Sequence, residues 1–409
     1  MDSQQQIRAT LAARADEINS LARRIHAHPE LALQERDACA WHVELLRGWG
    51  FEVTSPFAGL ETAYHARAGA GQPVFCLMAE YDALPEIGHG CGHNLIGAAA
   101  VGAGKALADV LAEEGAPGTV IVMGTPAEEG HGGKVEMLAH DALAGIDAVM
   151  LAHPRWQTMP DTGCNAIARF RISFEGRAAH AAASPEQGRN ALDAVMLTFQ
   201  GVNAWRQHLL EECRVHGYVD DGGAMANTIP ARASCILYVR AATEATLDAM
   251  IERLRMIAEG AALMTATSAR VEPWGERYQA RIPNAPLNEA WVTAAERAGL
   301  EPALPEKPNR ASSDFGDVSQ RLPAAHVYFG IADEPTPVHS PEFCAAAGTD
   351  RALDRMLMAA EALAVAGHRY VTEPEFRGRV DADYQRAVAE RRDEAQAARL
   401  WSQDPANLR

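Results

Sequence analysis

The first half of the chain alternates between segments with apolar residues at helical spacing and short, continuous apolar runs. Helical spacing predicts two helices, over about residues 3–27 and 34–48. The apolar runs PVFCLMAEYD, GTVIVMG and IDAVMLAHP predict buried strands, and a long Ala-rich helix follows the first of them. Strands that alternate with helices indicate an α/β fold whose sheet is mixed, mostly parallel and flanked by helices.

The middle of the chain has a different pattern. The segment AIARFRISFEG alternates polar and apolar residues, as a half-buried strand does. A helix over about 190–212 follows, then the strands RVHGYV and SCILYVRAA, a helix over about 244–264 and a strand near SARVEPW. This βαββαβ order predicts a separate α+β unit of the ferredoxin-like kind, with four strands and two helices on one face.

The α/β pattern resumes after this middle segment, with the strand PAAHVYFGI and an Ala-rich helix over 348–367. We therefore expect one domain formed by residues 1–166 and 281–370, and a second domain, 167–280, inserted into it. Residues 371–409 are highly charged and are expected to form a helical tail on the surface with a frayed end.

The composition of the chain limits which binding partners and which cellular compartment are expected. The chain of 409 residues carries a net charge of −17, which argues against nucleic acid as a partner. It has no uninterrupted run of about 18 apolar residues, so we expect no membrane span, and its first residues lack the pattern of a secretory signal. Seven cysteines, an odd number, fit a reduced thiol content, and we expect a cytoplasmic protein.

The segment EYDALPEIGHGCGHN brings a thiol and an imidazole into one glycine-rich loop. Cys91 and His93 are ligand types that suit zinc, manganese, iron or nickel, and the glycines beside them let the backbone approach an ion closely. A turn cysteine next to a surface histidine is the alternative interpretation. Asp82 lies in the same segment, at the end of the first predicted buried strand.

Two adjacent carboxylates follow the next buried strand in GTPAEEGHGG. Glu128 and Glu129 are costly together unless a cation offsets their charge, and neighbouring residues at a strand end point in different directions. One of them can therefore ligate a metal while the other faces a bound water as a general base. A solvated acidic turn is the alternative. His131 lies nearby, and its flexible glycine loop favours a role in solvent over one as a ligand.

Two further histidines lie at segment ends. His153 ends an apolar strand and precedes a proline, and His339 lies in a proline-rich loop between a strand and a helix. Functional residues of parallel sheets gather just beyond the carboxyl ends of the strands. The ligand-capable groups at these ends suit two metal ions rather than one, and they are Cys91, His93, Glu129, His153 and His339.

Taken together, these motifs resemble the aminoacylase/carboxypeptidase-G superfamily of metallopeptidases. Within it the chain is most similar to the amidohydrolase branch that contains the p-aminobenzoyl-glutamate hydrolase subunits and the β-alanyl-lysine-type dipeptidases. The resemblance covers nearly the whole chain and rests on EYDALPEIGHGCGHN, GTPAEEGHGGK, AHP, EGRAAHAAASPEQGRNALDAV, RVHGYVDDGGAMANTIP, SSDFGDVS and HSPEFCAAAG.

The resemblance implies a role for each site residue. It implies two divalent ions per subunit, zinc or manganese, with Cys91 able to bridge them. The implied ligands are Cys91, His93, Glu129, His153 and His339. Glu128 resembles the general base that takes a proton from the water and delivers it to the leaving amine. Asp82 matches an aspartate that, in sister branches, supports a metal-binding histidine two residues earlier. Glu80 occupies that position here, so Asp82 is expected to support a ligand without binding metal itself.

The middle domain resembles the family's dimerisation domain, which also forms a lid. By that resemblance the protein is a homodimer, and His180 reaches the partner subunit's active site and stabilises the oxyanion. Asn227 and Arg240 match residues that hold the carbonyl oxygen or the substrate carboxylate. From the residues alone, a surface histidine is the alternative for His180, and a structural salt bridge is the alternative for Arg240.

The predicted activity is hydrolysis of an amide bond by a metal-activated water, in a small N-acyl amino acid, an aminobenzoyl-amino acid or a dipeptide. Arg240 and Asn227 suggest a carboxylate on the substrate. Trp156, Phe315 and Phe343 either shape an aryl or acyl pocket or pack in the core. The alternative functions are a hydrolytic deaminase of an aromatic amine and a non-catalytic partner subunit of the same fold.

Overall fold

The chain forms two compact units in the computed structural model, which describes residues 2–304 and 309–403, with side chains described as far as 391. Of the described residues, the larger unit contains those before 164, those of 281–309 and those of 313–388. The smaller unit contains 164–280, 310–312 and the described residues from 389 to 403.

Strands and helices are numbered in chain order. The strands are β1 Glu52–Thr54, β2 Tyr64–Ala70, β3 Val74–Ala79, β4 Gly118–Gly124, β5 Ala148–Arg155, β6 Ala166–Glu175, β7 Arg214–Asp221, β8 Arg232–Ala241, β9 Ser268–Pro273 and β10 Ala324–Gly330. The helices are α1 Ser3–Ala27, α2 Arg36–Gly48, α3 His93–Glu114, α4 Gly133–Ala139, α5 Ala191–Arg206, α6 Glu244–Thr265, α7 Ala285–Ala298, α8 Phe315–Ser319, α9 Pro341–Ala347, α10 Asp350–Thr372 and α11 Pro374–Gln403.

The larger unit is organised around one sheet with the strand order β1-β2-β4-β3-β5-β10. The pairs β3–β4, β3–β5 and β5–β10 are parallel, while β1–β2 and β2–β4 are antiparallel. Every residue of β3, β4 and β10 is buried, as expected for strands covered on both faces. The predicted mixed, mostly parallel sheet flanked by helices is therefore confirmed.

Helix α3 lies at the centre of this unit and packs against α1, α10 and the sheet. By length and composition α3 is the one helix of the described residues that could cross a membrane, but 78% of its most apolar window is buried inside the unit. Its glycines allow close packing, since a Cβ at Gly104 would come within 2.2 Å of Val122. The burial identifies α3 as a core helix.

The smaller unit has a four-stranded antiparallel sheet in the order β7-β8-β6-β9. Helices α5 and α6 pack against each other and against this sheet, with a separate apolar core between them. Along the chain the elements run β6-α5-β7-β8-α6-β9, which is the βαββαβ order read from the sequence.

Several elements differ from the sequence-based expectations. The strands β1 and β2 and the helices α7, α8 and α9 were not predicted. Helix α5 ends at Arg206 rather than near 212, because the chain turns there and the His208 N–H donates to Trp205 O. The start of the predicted surface tail contributes Phe376 and Val380 to the core of the larger unit. The last six residues of that tail lie outside the described residues.

Candidate metal centre

The loop from β3 to α3 supplies the first two sulfur and nitrogen donors. Cys91 and His93 are both buried, and Gly92 between them has φ +76°, where a side chain is unfavourable. A Cβ on Gly92 would also lie 2.5 Å from Pro154 Cγ. Glycine at this position therefore lets α3 begin at His93 with the thiol and the imidazole in one buried loop.

The His93 ring is oriented by Asp82. Its Nδ1 lies 2.9 Å from Asp82 Oδ1, and its Nε2 is buried without a hydrogen-bond partner. Asp82 Oδ2 accepts the Glu129 backbone N–H at 2.8 Å. A proton on Nδ1, shared with Asp82, leaves Nε2 as the free donor for a metal, and both Asp82 oxygens are taken up by hydrogen bonds.

His153 lies within β5 and not beyond its end, because the strand continues to Arg155 in parallel register with β10. Its Nδ1 lies 2.7 Å from Pro154 O, and its Nε2 lies 3.4 Å from Cys91 Sγ. The ring stacks on His326 at a centroid distance of 5.3 Å. Burial and the nearby His93 lower the pKa of His153 well below its ordinary value, which keeps the ring neutral and able to donate to a metal.

The loop after β4 supplies the carboxylates. Glu129 Oε1 lies 3.4 Å from His339 Nε2 and 3.8 Å from His93 Nε2, and it is buried without a hydrogen-bond partner. His339 adopts φ +63°, and its N–H donates to Gly90 O at 2.8 Å, which fixes it beside the β3–α3 loop. Burial and the carboxylates of Glu129 and other neighbours raise the pKa of Glu128 well above its ordinary value.

These side chains converge into three overlapping groups whose ligand atoms lie within 4.8 Å of one another. The groups are Cys91–His93–His153, Cys91–Glu129–His339 and His93–Glu128–Glu129. Cys91 belongs to two of them, and the unpartnered atoms His93 Nε2 and Glu129 Oε1 face the same region. One thiol, three imidazoles and two carboxylates form a donor set that fits divalent transition metals.

A buried ionic cluster beside these groups was missed by the sequence reasoning. Lys134 Nζ lies 2.6 Å from Glu80 Oε1 and 2.7 Å from Asp314 Oδ1, and all three side chains are almost fully buried. Glu80 Oε2 lies 3.6 Å from His93 Nε2, so the cluster borders the site. From the sequence, a lysine that follows a glycine-rich loop is expected to be exposed. Only the packing of α4 shows that Lys134 is buried.

Three predicted residues lie in the smaller unit. His180 and Asn227 are exposed, on two loops joined by the Ala181 N–H donating to Asn227 O at 2.9 Å. His180 Nδ1 accepts the N–H groups of Ala182 and Ala183 at 3.3 and 3.1 Å, which leaves Nε2 to carry the proton of the neutral ring.

Arg240, also in the smaller unit, donates to Ser312 Oγ at 2.8 Å and to His216 Nε2 at 3.4 Å. Burial and the nearby Arg169 lower its pKa. The ion pairs formed by the described residues do not include Arg240, so the structural salt bridge considered from the sequence is not observed there.

The remaining predicted side chains divide between core and surface. Phe315 and Phe343 are completely buried in the core, while Trp156 is 39% exposed. His131 is exposed, and its Nε2 lies 3.2 Å from Glu136 Oε2. These positions favour packing roles for the two phenylalanines and a solvent-facing role for His131.

Comparison with known protein families shows to which family the chain belongs. The model of peptidase family M20/M25/M40 matches residues 76–364. The chain belongs to this family. The chain is 34% identical to the Xaa-Arg dipeptidase of Mus musculus over 384 residues, which is 88% of this chain and 87% of that protein. It is 30% identical to one of the p-aminobenzoyl-glutamate hydrolase subunits of Escherichia coli, over 84% of this chain and 87% of that protein.

Solved structures of family M20 and of similar proteins share the fold. A putative aminohydrolase from methicillin-resistant Staphylococcus aureus superposes with a TM-score of 0.75 at 23% identity, over 90% of this chain and 100% of that one. A dinuclear metal-binding M20 peptidase from Bacillus subtilis superposes with a TM-score of 0.64 at 23% identity, over 87% of this chain and 99% of that one. The predicted superfamily is confirmed, and this M20 protein is a hydrolase that acts on C–N bonds.

Proposed function

We propose that this M20 enzyme is a dinuclear metal-dependent amidohydrolase that cleaves a dipeptide or an N-acyl amino acid, with Glu128 as general base. The convergence of Cys91, His93, Glu129, His153 and His339 around Glu128 is the observation that carries the proposal. We propose zinc or manganese as the two ions, and the cytoplasm as the compartment.

The mechanism follows from the positions of the side chains. Two divalent ions held by the five ligands would supply Lewis-acid chemistry, lowering the pKa of a water and polarising the amide carbonyl. Glu128 takes a proton from the attacking water and then delivers it to the leaving nitrogen. The position of Glu128 supports this double role, because its carboxyl lies in one group with the proposed ligands His93 and Glu129, next to where a metal-activated water would be held.

The oxyanion of the tetrahedral intermediate needs a hydrogen-bond donor, and we assign that role to His180 of a partner subunit in a homodimer. Its exposure and its Nδ1 contacts with two backbone N–H groups support the assignment, since they leave an Nε2–H donor directed away from its own loop.

A substrate carboxylate is proposed to bind Arg240 with help from Asn227. Arg240 is half-buried and has hydrogen bonds to neutral partners only among those observed, which supports a missing anionic partner. The names of the relatives, an Xaa-Arg dipeptidase and a p-aminobenzoyl-glutamate hydrolase, both describe substrates with a free carboxylate next to the cleaved amide.

The decisive experiment combines metal analysis with activity on a panel of dipeptides, N-acyl amino acids and p-aminobenzoyl-glutamate. Glu128→Gln is expected to keep its metal and to lose most of the activity, while His131→Gln serves as the matched control in the same loop. Near-normal turnover by Glu128→Gln contradicts the general base. Release of ammonia without an amino acid from any substrate would instead indicate a deaminase.

The assignment of His180 to the partner subunit's active site is tested by mixing two inactive variants. His180→Ala and Glu128→Ala homodimers are expected to regain part of the activity when their subunits exchange, because one site of each mixed dimer then has both groups intact. No recovery after proven exchange contradicts the assignment of His180 to the partner's site.

A further inference from the structure

Glu35 is a completely buried carboxylate that lies next to the site without being one of its ligands. It immediately precedes α2, and its side chain has no exposed surface. Oε1 accepts the Ala127 backbone N–H at 2.8 Å, and Oε2 accepts the Thr62 hydroxyl at 3.0 Å. The ion pairs of the described residues do not include Glu35, so this acid is buried without a cationic partner, which is costly.

Ala127, which Glu35 holds, has an unusual backbone. Its φ of +62° is in the left-handed region, which costs a residue other than glycine about 1–2 kcal/mol. Its carbonyl accepts the N–H groups of Gly132 and Gly133, each at 3.0 Å. Both backbone polar groups of Ala127 are therefore bound, and this strained conformation persists because its surroundings fix it.

Ala127 directly precedes Glu128, and the other neighbour of Glu128 is fixed in the same way. The Glu129 N–H donates to Asp82 Oδ2 at 2.8 Å. Two buried carboxylates, from separate parts of the chain, thus hold the backbone N–H groups on either side of Glu128. The segment that carries Glu35 also contacts the β3–α3 loop, because the Ala83 N–H donates to Glu30 O at 2.8 Å.

We infer that Glu35 is a positioning residue for the reaction, which sets the direction of the Glu128 side chain by holding the left-handed turn at Ala127. The inference rests on the proposed function in one respect, the role of Glu128 as general base. The side-chain hydrogen bonds observed for Glu35 go to Ala127 and Thr62, and neither is a proposed ligand. Its effect is therefore expected in kcat, with little change in KM or in metal content.

The test compares Glu35→Gln, Glu35→Ala and a matched control. Glutamine keeps one oxygen for the Ala127 N–H and is expected to retain kcat within about threefold. Alanine removes the acceptor and is expected to lower kcat by roughly 10- to 100-fold, because small displacements of a catalytic group are expensive. Asp383→Ala is the control, since Asp383 is also a buried carboxylate that accepts a backbone N–H, that of Ala285 at 2.9 Å, but it fixes α7.

The measurements are kcat and KM, bound metal per chain, and the thermal unfolding midpoint. The inference is supported if Glu35→Ala loses kcat with wild-type metal content while Asp383→Ala, at a comparable loss of stability, does not. It is overturned if Glu35→Ala keeps full kcat, if its loss of activity follows a loss of metal, or if Glu35→Gln is as impaired as Glu35→Ala. An active Glu128→Gln would overturn the proposed base separately, whatever the Glu35 variants do.

Discussion

Lys134 gives the sharpest test of the electrostatics around the site. Its ammonium is 1% exposed and lies between Glu80 at 2.6 Å and Asp314 at 2.7 Å. Substitution by methionine keeps nearly the same side-chain volume and removes the charge together with the N–H donors that face Glu80 and Asp314. The net charge of the cluster changes from −1 to −2, so two buried carboxylates lose their common partner.

The magnitude follows from the burial of all three groups. Removing one partner of a buried ion pair costs about 3–5 kcal/mol, because the remaining charge is left without compensation. Protonation of Glu80 limits the loss, since burial already raises the pKa of that carboxyl. A carboxyl with a raised pKa in the folded state makes the protein less stable as pH rises, so the cost of Lys134→Met is expected to be larger at pH 8 than at pH 5.5.

The assay is urea unfolding of metal-free protein, followed by far-UV circular dichroism at both pH values. Lys105→Met is the matched control, because Lys105 forms a 2.8 Å pair with Asp109 that is partly exposed, and it is expected to cost less than about 1 kcal/mol. Adding Glu80→Gln to Lys134→Met is expected to recover part of the loss. The reasoning is refuted if Lys134→Met costs no more than Lys105→Met.

Three further outcomes are expected. Burial raises the pKa of the Cys91 thiol in the metal-free protein, so this thiol must lose its proton when it binds a metal. Metal binding should therefore release about one more proton per chain than in Cys91→Ser, as measured by calorimetry in buffers of different ionisation enthalpy. Equal proton release from the two proteins would contradict a thiolate ligand. Asp82 uses one carboxylate oxygen for the His93 ring and the other for the Glu129 N–H, whereas Asp82→Asn has only one oxygen. The affinity for metal in chelator competition should therefore fall by about 10- to 100-fold. An unchanged affinity would argue that Asp82 does not support His93 as a ligand. Burial and the nearby Asp82 raise the pKa of Glu35 to about 7. The wild-type chain therefore loses stability as pH rises from about 4.5 to 7, and metal-free Glu35→Gln should become the more stable protein over that range, by up to a few kcal/mol; parallel stability curves would contradict the shifted pKa.

Hydrophobic pattern was sufficient to predict the central strands of the sheet in the larger unit. The strands β3, β4 and β5 are continuous apolar runs, and such runs are buried whatever surrounds them. The strand β2, with the sequence YHARAGA, has no such run, and it forms because β4 offers it an antiparallel edge. Helix α8 has five residues, too few for a periodicity.

Helix α7 is a different case, because its signals are present in the sequence. Asn284 caps the helix through Leu287 N–H, and Pro286 lies in its first turn. Leu287 and Trp291, four residues apart, are both buried. These helix start signals together predict a helix that begins after Asn284.

The residues of the candidate site also differ in how well the sequence predicts them. Donor residues such as Cys91 and His93 can be identified from the sequence, because few structural roles place a cysteine and a histidine between glycines. Lys134 and Glu35 do not, because their importance depends on burial that the packing of distant segments creates. Charged residues in a sequence are assumed to be solvated, and nothing local to either residue signals otherwise.

The order of elements along the chain also affects how the protein is made. The sheet of the larger unit is completed by β10, which emerges from the ribosome about 170 residues after β5, and the proposed ligand His339 follows it. At ordinary rates of synthesis that interval is roughly 8–35 seconds. During this time the apolar edge of β5 that pairs with β10 has no partner strand, and the nascent chain lacks one proposed metal ligand. Premature metal capture and aggregation in this interval are therefore hazards that chaperones would have to limit, and a chain truncated before β10 is expected to be insoluble.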